Sequence, residues 1–367
     1  MKKDFKPFKV GTVFNPMKVR FSGIRPRLKS VKIRFPSRLN AMALDPGKIT
    51  TNKNLVYSPG EVIFVVKIYK DIHIRITKEK GKIEISNSSR RRPLIKHAAL
   101  LMKSVLGVDD GLYIDVRNEK ELKHCGLGSS SSLIAGVAAA VNEIYGNPVG
   151  PDLLARYAAQ NHGEEISAND DYLVPVQCIG GSAVGGLFDG GLKVIAGETC
   201  LIQSMNIPQE YKAVIGVPKD FEERDSKVMM DLEIKSFNKF LKTGLKFGKQ
   251  IAYNILHKLL PAMVIGDLSA VGDVIFDYRF NMGSIENCSF VYPKLIKLTN
   301  KLSDMKRSGL ADVLAISSVG PAIFVVTKNL IYCKKIFEKN GLKTIVTRIE
   351  NGKYKIISKK YNGSKRS

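Results

Sequence analysis

The sequence predicts a mixed α+β protein organised as two domains. Three observations carry this expectation. The chain has 367 residues, and at roughly 150 residues per domain that length suits two. Short runs rich in Val, Ile and aromatics occur with longer stretches of helical periodicity, and nothing repeats. The texture also changes around residues 202–211, which places the boundary there. Residues 1–30 read as a basic extension, 31–203 as an N-terminal domain, 204–358 as a C-terminal α/β sandwich, and 359–367 as a basic tail.

The elements follow in order. Residues 1–30 carry Pro7, Pro16 and Pro26 among many charges, with little core of their own. VKIRF (31–35), EVIFVVKIY (61–69), IHIRI (72–76) and KIEI (82–85) read as strands separated by Gly, Pro and Asn. Residues 93–107 read as a helix that Pro93 opens and Gly107 closes. LYIDV (112–116) is a further strand. A glycine–serine segment then enters a helix running to Gly146, with Leu133, Val137, Val141 and Ile144 along one side. Residues 151–161 read as another helix, and the Gly-rich stretch 174–196 as strand. Beyond the boundary come the strand KAVIGV (212–217) and helical stretches at about 222–247, 249–279 and 293–308. Strand, helix, strand close the chain: DVLAIS (312–317), LIYCKKIFEKN (330–340) and KTIVTRI (343–349). The alternating charges of 222–247 mark an exposed helix.

Composition narrows the functional classes. No apolar run reaches the ~18 residues of a membrane helix, so no membrane partner is expected. The basic start MKKDFKPFKVGTVF has no apolar core of signal-peptide length. Five cysteines (Cys125, Cys178, Cys200, Cys288, Cys333) never form a CxxC pair. That pattern suits a reducing, cytoplasmic setting better than a disulfide framework or zinc ribbon. His73, His97, His124, His162 and His257 show no HExxH pairing, and no GxSxG elbow occurs. The formal net charge is +24, concentrated at both ends and in Arg90-Arg91-Arg92. Such a balance steers polyanions or phosphorylated substrates. Nucleic acid held by the basic tails is the less favoured partner, a small molecule the favoured one. A homodimer is compatible with the sequence.

The chemistry-bearing segment is Gly126-Leu127-Gly128-Ser129-Ser130-Ser131-Ser132, feeding an apolar helix. Two glycines permit a tight turn. A helix start presents unpaired N–H groups and about half a positive charge, and serine hydroxyls add donors. Together these suit a phosphate, although a simply Ser-capped helix would share the pattern. The loop lacks the Lys of GxxxxGK[ST] and the third glycine of a dinucleotide fingerprint.

GLGSSSS resembles the second motif of the GHMP kinase superfamily. Phe35-Pro36-Ser37-Arg38-Leu39-Asn40 resembles its first motif, and Ser317-Ser318-Val319-Gly320-Pro321-Ala322-Ile323-Phe324 its third, in the family's order. The resemblance implies an N-terminal domain like ribosomal protein S5 domain 2, a ferredoxin-like C-terminal domain, and an active site between them. It further implies an ATP-dependent phosphotransferase acting on a hydroxyl of a small, anionic metabolite. The loop residues with Ser318 and Gly320 would hold the ATP phosphates, and Ser130 with Glu164 would hold Mg²⁺. Arg38 would grip substrate phosphate or activate the attacking hydroxyl. Asp170, with Asp171 beside it, stands where many members carry a catalytic Asp; an Asx turn is the bland alternative there. Gly180, Gly181, Gly185 and Gly186 suggest close backbone approach to substrate. The family's Glu near the end of the preceding helix falls on Asn161-His162, with Glu164 and Glu165 just after. Ala43-Leu44-Asp45 stands where the family has Gly-Glu.

His124, the segment LLPAMVIGD (259–267) and the doubled serine of SSVGP resemble another branch, the beta-ribofuranosylaminobenzene 5'-phosphate synthases. That resemblance implies phosphoribosyl pyrophosphate as donor, with Mg²⁺, and a hydroxy- or aminobenzoate as acceptor. A polyanion-binding protein on the same fold is the non-enzymatic alternative.

Overall fold

The computed structural model describes residues 6–19, 21–49, 59–118, 125–166, 169–223 and 225–362. In chain order the strands begin with β1 (Phe8–Lys9), β2 (Leu28–Ala43), β3 (Glu61–Thr77), β4 (Ile83–Ile85) and β5 (Gly111–Asn118). They continue with β6 (Gly163–Ile166), β7 (Asn169–Pro175), β8 (Leu192–Ala196), β9 (Cys200–Met205) and β10 (Lys212–Pro218). The last are β11 (Val313–Ile316), β12 (Ile323–Thr327), β13 (Leu342–Arg348) and β14 (Lys355–Tyr361). The helices are α1 (Arg92–Leu106), α2 (Ser129–Ile144), α3 (Pro151–Gln160), α4 (Gly181–Leu187), α5 (Ser226–Asn254) and α6 (Leu260–Ile265). They are followed by α7 (Leu268–Phe276), α8 (Ser284–Cys288), α9 (Leu295–Leu302), α10 (Asp304–Arg307) and α11 (Leu330–Lys339). None of them is long and apolar enough to cross a membrane.

The largest sheet has seven strands: β14-β2-β3-β5-β4 in order, with β8 joined to β3 and β9 to β8. Among the described strands of this sheet only β4 pairs in parallel, with β5. A second sheet has the order β11-β12-β10-β13 and a third β1-β7-β6. Strand β3 merges EVIFVVKIY and IHIRI, and residues 62–66 are apolar at every position because both faces are covered. Ile63, Val65, Ile72 and Ile74 pack with α1 and α2 in one core. Val62, Phe64 and Val66 face a second core with the β10–β12 sheet and the later helices. The Phe64 and Phe324 rings, 5.9 Å apart, join the two sheets.

Strand β2 does the same, with a register shift at Pro36/Ser37, where a proline is tolerated. Before the shift Val31, Ile33 and Phe35 belong to the helix-side core. After it Leu39 and Ala41 belong to the other core. Alternation therefore turns Arg38 and Asn40 to the face of Leu39's opposite side, where the cleft lies.

Four expectations need correction. Residues 355–361 form β14 on the edge of β2, so a strand continues to Tyr361 where a tail from 359 was expected. The N-terminal extension contributes core residues: Phe8, Val10 and Leu28 are buried. Residues 181–187 form a helix rather than strand, because small residues let α4 sit on the sheet; a Cβ on Gly186 would lie 2.1 Å from the Phe35 ring. The stretch 249–279 is interrupted. Two π-helical turns, Ile255–Leu259 and Asp277–Asn281, intervene. Gly266 ends α6 at φ 79°, and Asp267 caps α7 by accepting from Ala270 N–H.

Candidate functional site

The glycine–serine segment meets the chain's two other motif regions at one point. Gly126 (φ +80°) leaves so little room that a Cβ would sit 2.1 Å from the Ser317 carbonyl oxygen. The Gly126 carbonyl accepts from Arg38 Nη1 at 2.9 Å and from Ser317 Oγ at 2.7 Å. Gly128 (φ +63°) is the N-cap of α2, and a Cβ there would meet Ser182 Oγ at 2.4 Å and Arg38 Nε at 3.2 Å. Both positions need glycine for backbone conformation and for space. No side chain caps α2; its first internal bond is Ser132 N–H to the Gly128 carbonyl at 2.9 Å. The preceding amides keep the helix-end character that attracts anions.

From the other side, Ser318 N–H donates to the Asn40 carbonyl at 3.0 Å, and Asn40 N–H to Ser317 Oγ at 3.1 Å. Arg38, Gly126, Leu127, Gly128, Ser129, Ser130, Ser131, Ser318 and Gly320 thus line one cleft of ≈ 270 Å³. Among the described residues, Arg38 Nε is buried there without a hydrogen-bond partner. Leaving such a donor unpaired costs about 1–3 kcal/mol, which an anion beside Gly128 would recover.

The serines divide by role. Ser129 Oγ accepts from Arg91 Nη1 at 3.2 Å. Ser131 Oγ donates to Ser182 Oγ at 2.6 Å. Ser132, expected among the phosphate ligands, points away: its Oγ donates to the Gly128 carbonyl at 2.7 Å and accepts from buried Lys70 Nζ at 2.6 Å. The reason is helical geometry, since a residue three past the first faces inward against β2 and β3.

Glu164 reaches the cleft on β6 but is already engaged. Arg91, left-handed at φ 58° and buried, places Nη2 at 2.9 Å from Glu164 and Nε at 2.6 Å from Glu165. His162 Nε2 lies 3.5 Å from the other Glu164 oxygen. Burial alone would raise the Glu164 carboxyl, yet His162, Arg91 and Ser130 outweigh it and hold it at about 2. Among the described residues no three His, Cys, Asp or Glu side chains converge to hold a metal. In this arrangement Glu164 is engaged by Arg91, His162 and Ser130.

Asp170 and Asp171 are not brought to the cleft. Strand β7 buries only its last residues and exposes the first four. The Asp171 side chain is 73% exposed, 3.6 Å from Lys96. Asn169 Oδ1 accepts from the N–H groups of Asp171 and Tyr172 at 3.1 Å, so the segment is the Asx turn. The glycine cluster splits as well. Gly180 lines the cleft, whereas Gly185 and Gly186 face Ile63 and Phe35. His124 lies outside the described residues.

Other cleft residues carried no motif signal. Glu61, buried, accepts from Asn40 Nδ2 and, at 2.7 Å, from Gly181 N–H. Arg279, buried in the second π-helical turn, donates to the Ala41 carbonyl at 2.6 Å and to Asn40. The far wall consists of Met229, Glu233, Phe237 and Phe240 from α5, with Tyr278 and Cys288. The sequence reading of 222–247 as an exposed helix missed this wall. A few apolar positions at helical spacing were the available signal.

A family model described as "GHMP kinases N terminal domain" matches residues 93–181. Over that stretch the chain resembles the GHMP kinases. The chain is similar to the beta-ribofuranosylphenol 5'-phosphate synthase of Methanothermobacter thermautotrophicus, 23% identical over 80% of this chain and 88% of that one. The protein of the same name from Archaeoglobus fulgidus is 25% identical over 88% of this chain and 97% of that one. The GHMP fold is shared with homoserine kinase from Cytophaga hutchinsonii at a TM-score of 0.59 and 16% identity, covering 93% of this chain and 100% of that one. The superfamily and these relatives are transferase-type enzymes.

Proposed function

We propose that this GHMP protein transfers the phosphoribosyl group of phosphoribosyl pyrophosphate to an aromatic acceptor of the hydroxybenzoate class. The observation that carries this reading is the cleft's asymmetry. One side offers helix-end amides, Arg38 Nε and the 318–320 loop to an anion; the other is mostly apolar and aromatic, with the Glu233 carboxyl among these side chains. The names of the two relatives, which span most of the chain, agree with it.

The donor's pyrophosphate would lie against residues 126–131, where Arg38 offsets the charge that develops as it leaves. C1 of the ribose then bonds to the ring carbon bearing the carboxylate. The C1–O bond electrons leave with pyrophosphate, and the ring–carboxylate electrons restore the aromatic ring as CO₂ departs. The product named by the relatives is a phenol without a carboxylate, which this balance requires. Any Mg²⁺ accompanying the donor would supply further charge neutralisation to the pyrophosphate.

Pyrophosphate release on mixing the protein with this donor and 4-hydroxybenzoate tests the reading, with Arg38→Ala expected to lower turnover at least tenfold. Consumption of ATP with the sugar donor untouched would overturn it. That second reading, ATP-dependent phosphorylation of a small metabolite, is favoured by the resemblance of the 126–132 loop to the kinases, and isothermal titration with Mg-ATP examines it directly.

A further inference from the structure

We propose that Glu233 is the catalytic residue on the acceptor side, accepting the phenolic proton of the aromatic substrate. This rests on the transfer reading above. Met229, Glu233, Phe237 and Phe240 follow one another at helical spacings along α5, so one face carries all four into the cleft. A half-buried carboxyl group in the middle of such a stripe is costly, because withdrawing it from water beside apolar side chains disfavours its charged form. Among the described residues no hydrogen bond or ion pair holds Glu233. Burial raises its carboxyl to about 7.

Among the described residues, the groups facing it do not neutralise it. Cys288 from α8 is itself pushed up to about 12, chiefly by burial. Arg279 is committed to Ala41, Asn40 and Ser284. Tyr278 is buried, and across the cleft Glu164 is bound to Arg91. A phenol seated between the Phe237 side of this wall and the donor would find Glu233 as its proton acceptor.

The chemistry needs such an acceptor. As the phenolic O–H proton moves to Glu233, electron density flows to the opposite ring carbon, which forms the bond to ribose C1 while pyrophosphate leaves. When the ring–carboxylate bond breaks and CO₂ departs, the proton returns to the phenolate oxygen. Glu233 ends as it began, and no oxidant, reductant or net proton is required.

The experiment compares wild type with Glu233→Gln and Glu233→Asp, each confirmed folded by thermal melting. Glu233→Gln should lower kcat at least a hundredfold with KM for 4-hydroxybenzoate within about threefold, and Glu233→Asp should recover part of the loss. Wild-type kcat should rise with pH through about 7, and Glu233→Gln should lose that inflection. Glu233→Gln activity within twofold of wild type, or an unchanged pH profile, overturns the proposal. If wild type releases no pyrophosphate, the transfer reading itself fails. Titration with 4-hydroxybenzoate alone then decides about Glu233: a shift of the ring absorbance toward phenolate in wild type and not in Glu233→Gln upholds its role, and identical spectra end it. Should Glu233→Gln not fold, Glu233→Asp carries the same pH and spectral comparisons.

Discussion

The two walls of the cleft are built on different principles. On the donor side the backbone does the binding. Gly126 and Gly128 are left-handed and so closely packed that any Cβ would collide with Ser317 or Ser182, and the helix that follows has no side-chain cap. On the acceptor side nothing is asked of the α5 backbone except regularity, and the side chains of Met229, Glu233, Phe237 and Phe240 make the surface. A backbone site tolerates few residue types and leaves a recognisable motif. A side-chain site can be assembled from any residues of suitable shape, which is how related proteins keep one phosphate cradle and change acceptors.

Four variants test this contrast. The largest effect is expected from Arg91→Met, which removes the buried guanidinium that bridges Glu164 and Glu165: stability should fall by about 3–5 kcal/mol in urea unfolding at pH 7. The wild-type acid profile has a defined sign. Because folding lowers the Glu164 carboxyl from its ordinary 4.5 to about 2, its contribution is complete above pH 4.5 and is lost as pH falls toward 2. Arg91→Met should flatten that segment of the profile. Next is Gly126→Ala, whose Cβ meets a backbone carbonyl. Donor binding should weaken about a hundredfold by calorimetry, roughly 2.8 kcal/mol, while 4-hydroxybenzoate affinity stays unchanged. Equal losses for both ligands would mean that the walls are not separable. Ser132→Ala removes one of the partners of buried Lys70 and should cost about 1 kcal/mol of stability, with donor affinity kept in the fraction that remains folded. Smallest is Asp170→Asn with Asp171→Asn, both at exposed positions: turnover should stay within twofold and stability within about 0.5 kcal/mol. A hundredfold loss there would restore the sequence expectation of a catalytic aspartate.

Resemblance in sequence placed Arg38, the 126–131 loop, Ser318 and Gly320 in one cleft because each belongs to a segment whose backbone must turn or approach another closely. It misplaced Asp170 and Asp171, since the distance to Tyr172 could not reveal that β7 pairs between β1 and β6 with its first residues in solvent. Ser132 looked equivalent to its neighbours until the helix turned it toward Lys70. Glu164 was found, yet its ion pair with Arg91 bridges residues far apart in the chain and leaves no local trace. Arg279 and Glu233 carried no motif at all.

The sequence by itself determined a mixed α+β chain with a phosphate-type loop at a helix start, because left-handed glycines, hydroxyls and helical periodicity are local properties of adjacent residues. Tertiary structure alone decided which charges are free and which are answered. Whether a carboxylate is solvated, paired with an arginine or left among aromatic rings depends on partners brought together by packing, and that environment sets its proton affinity and its use.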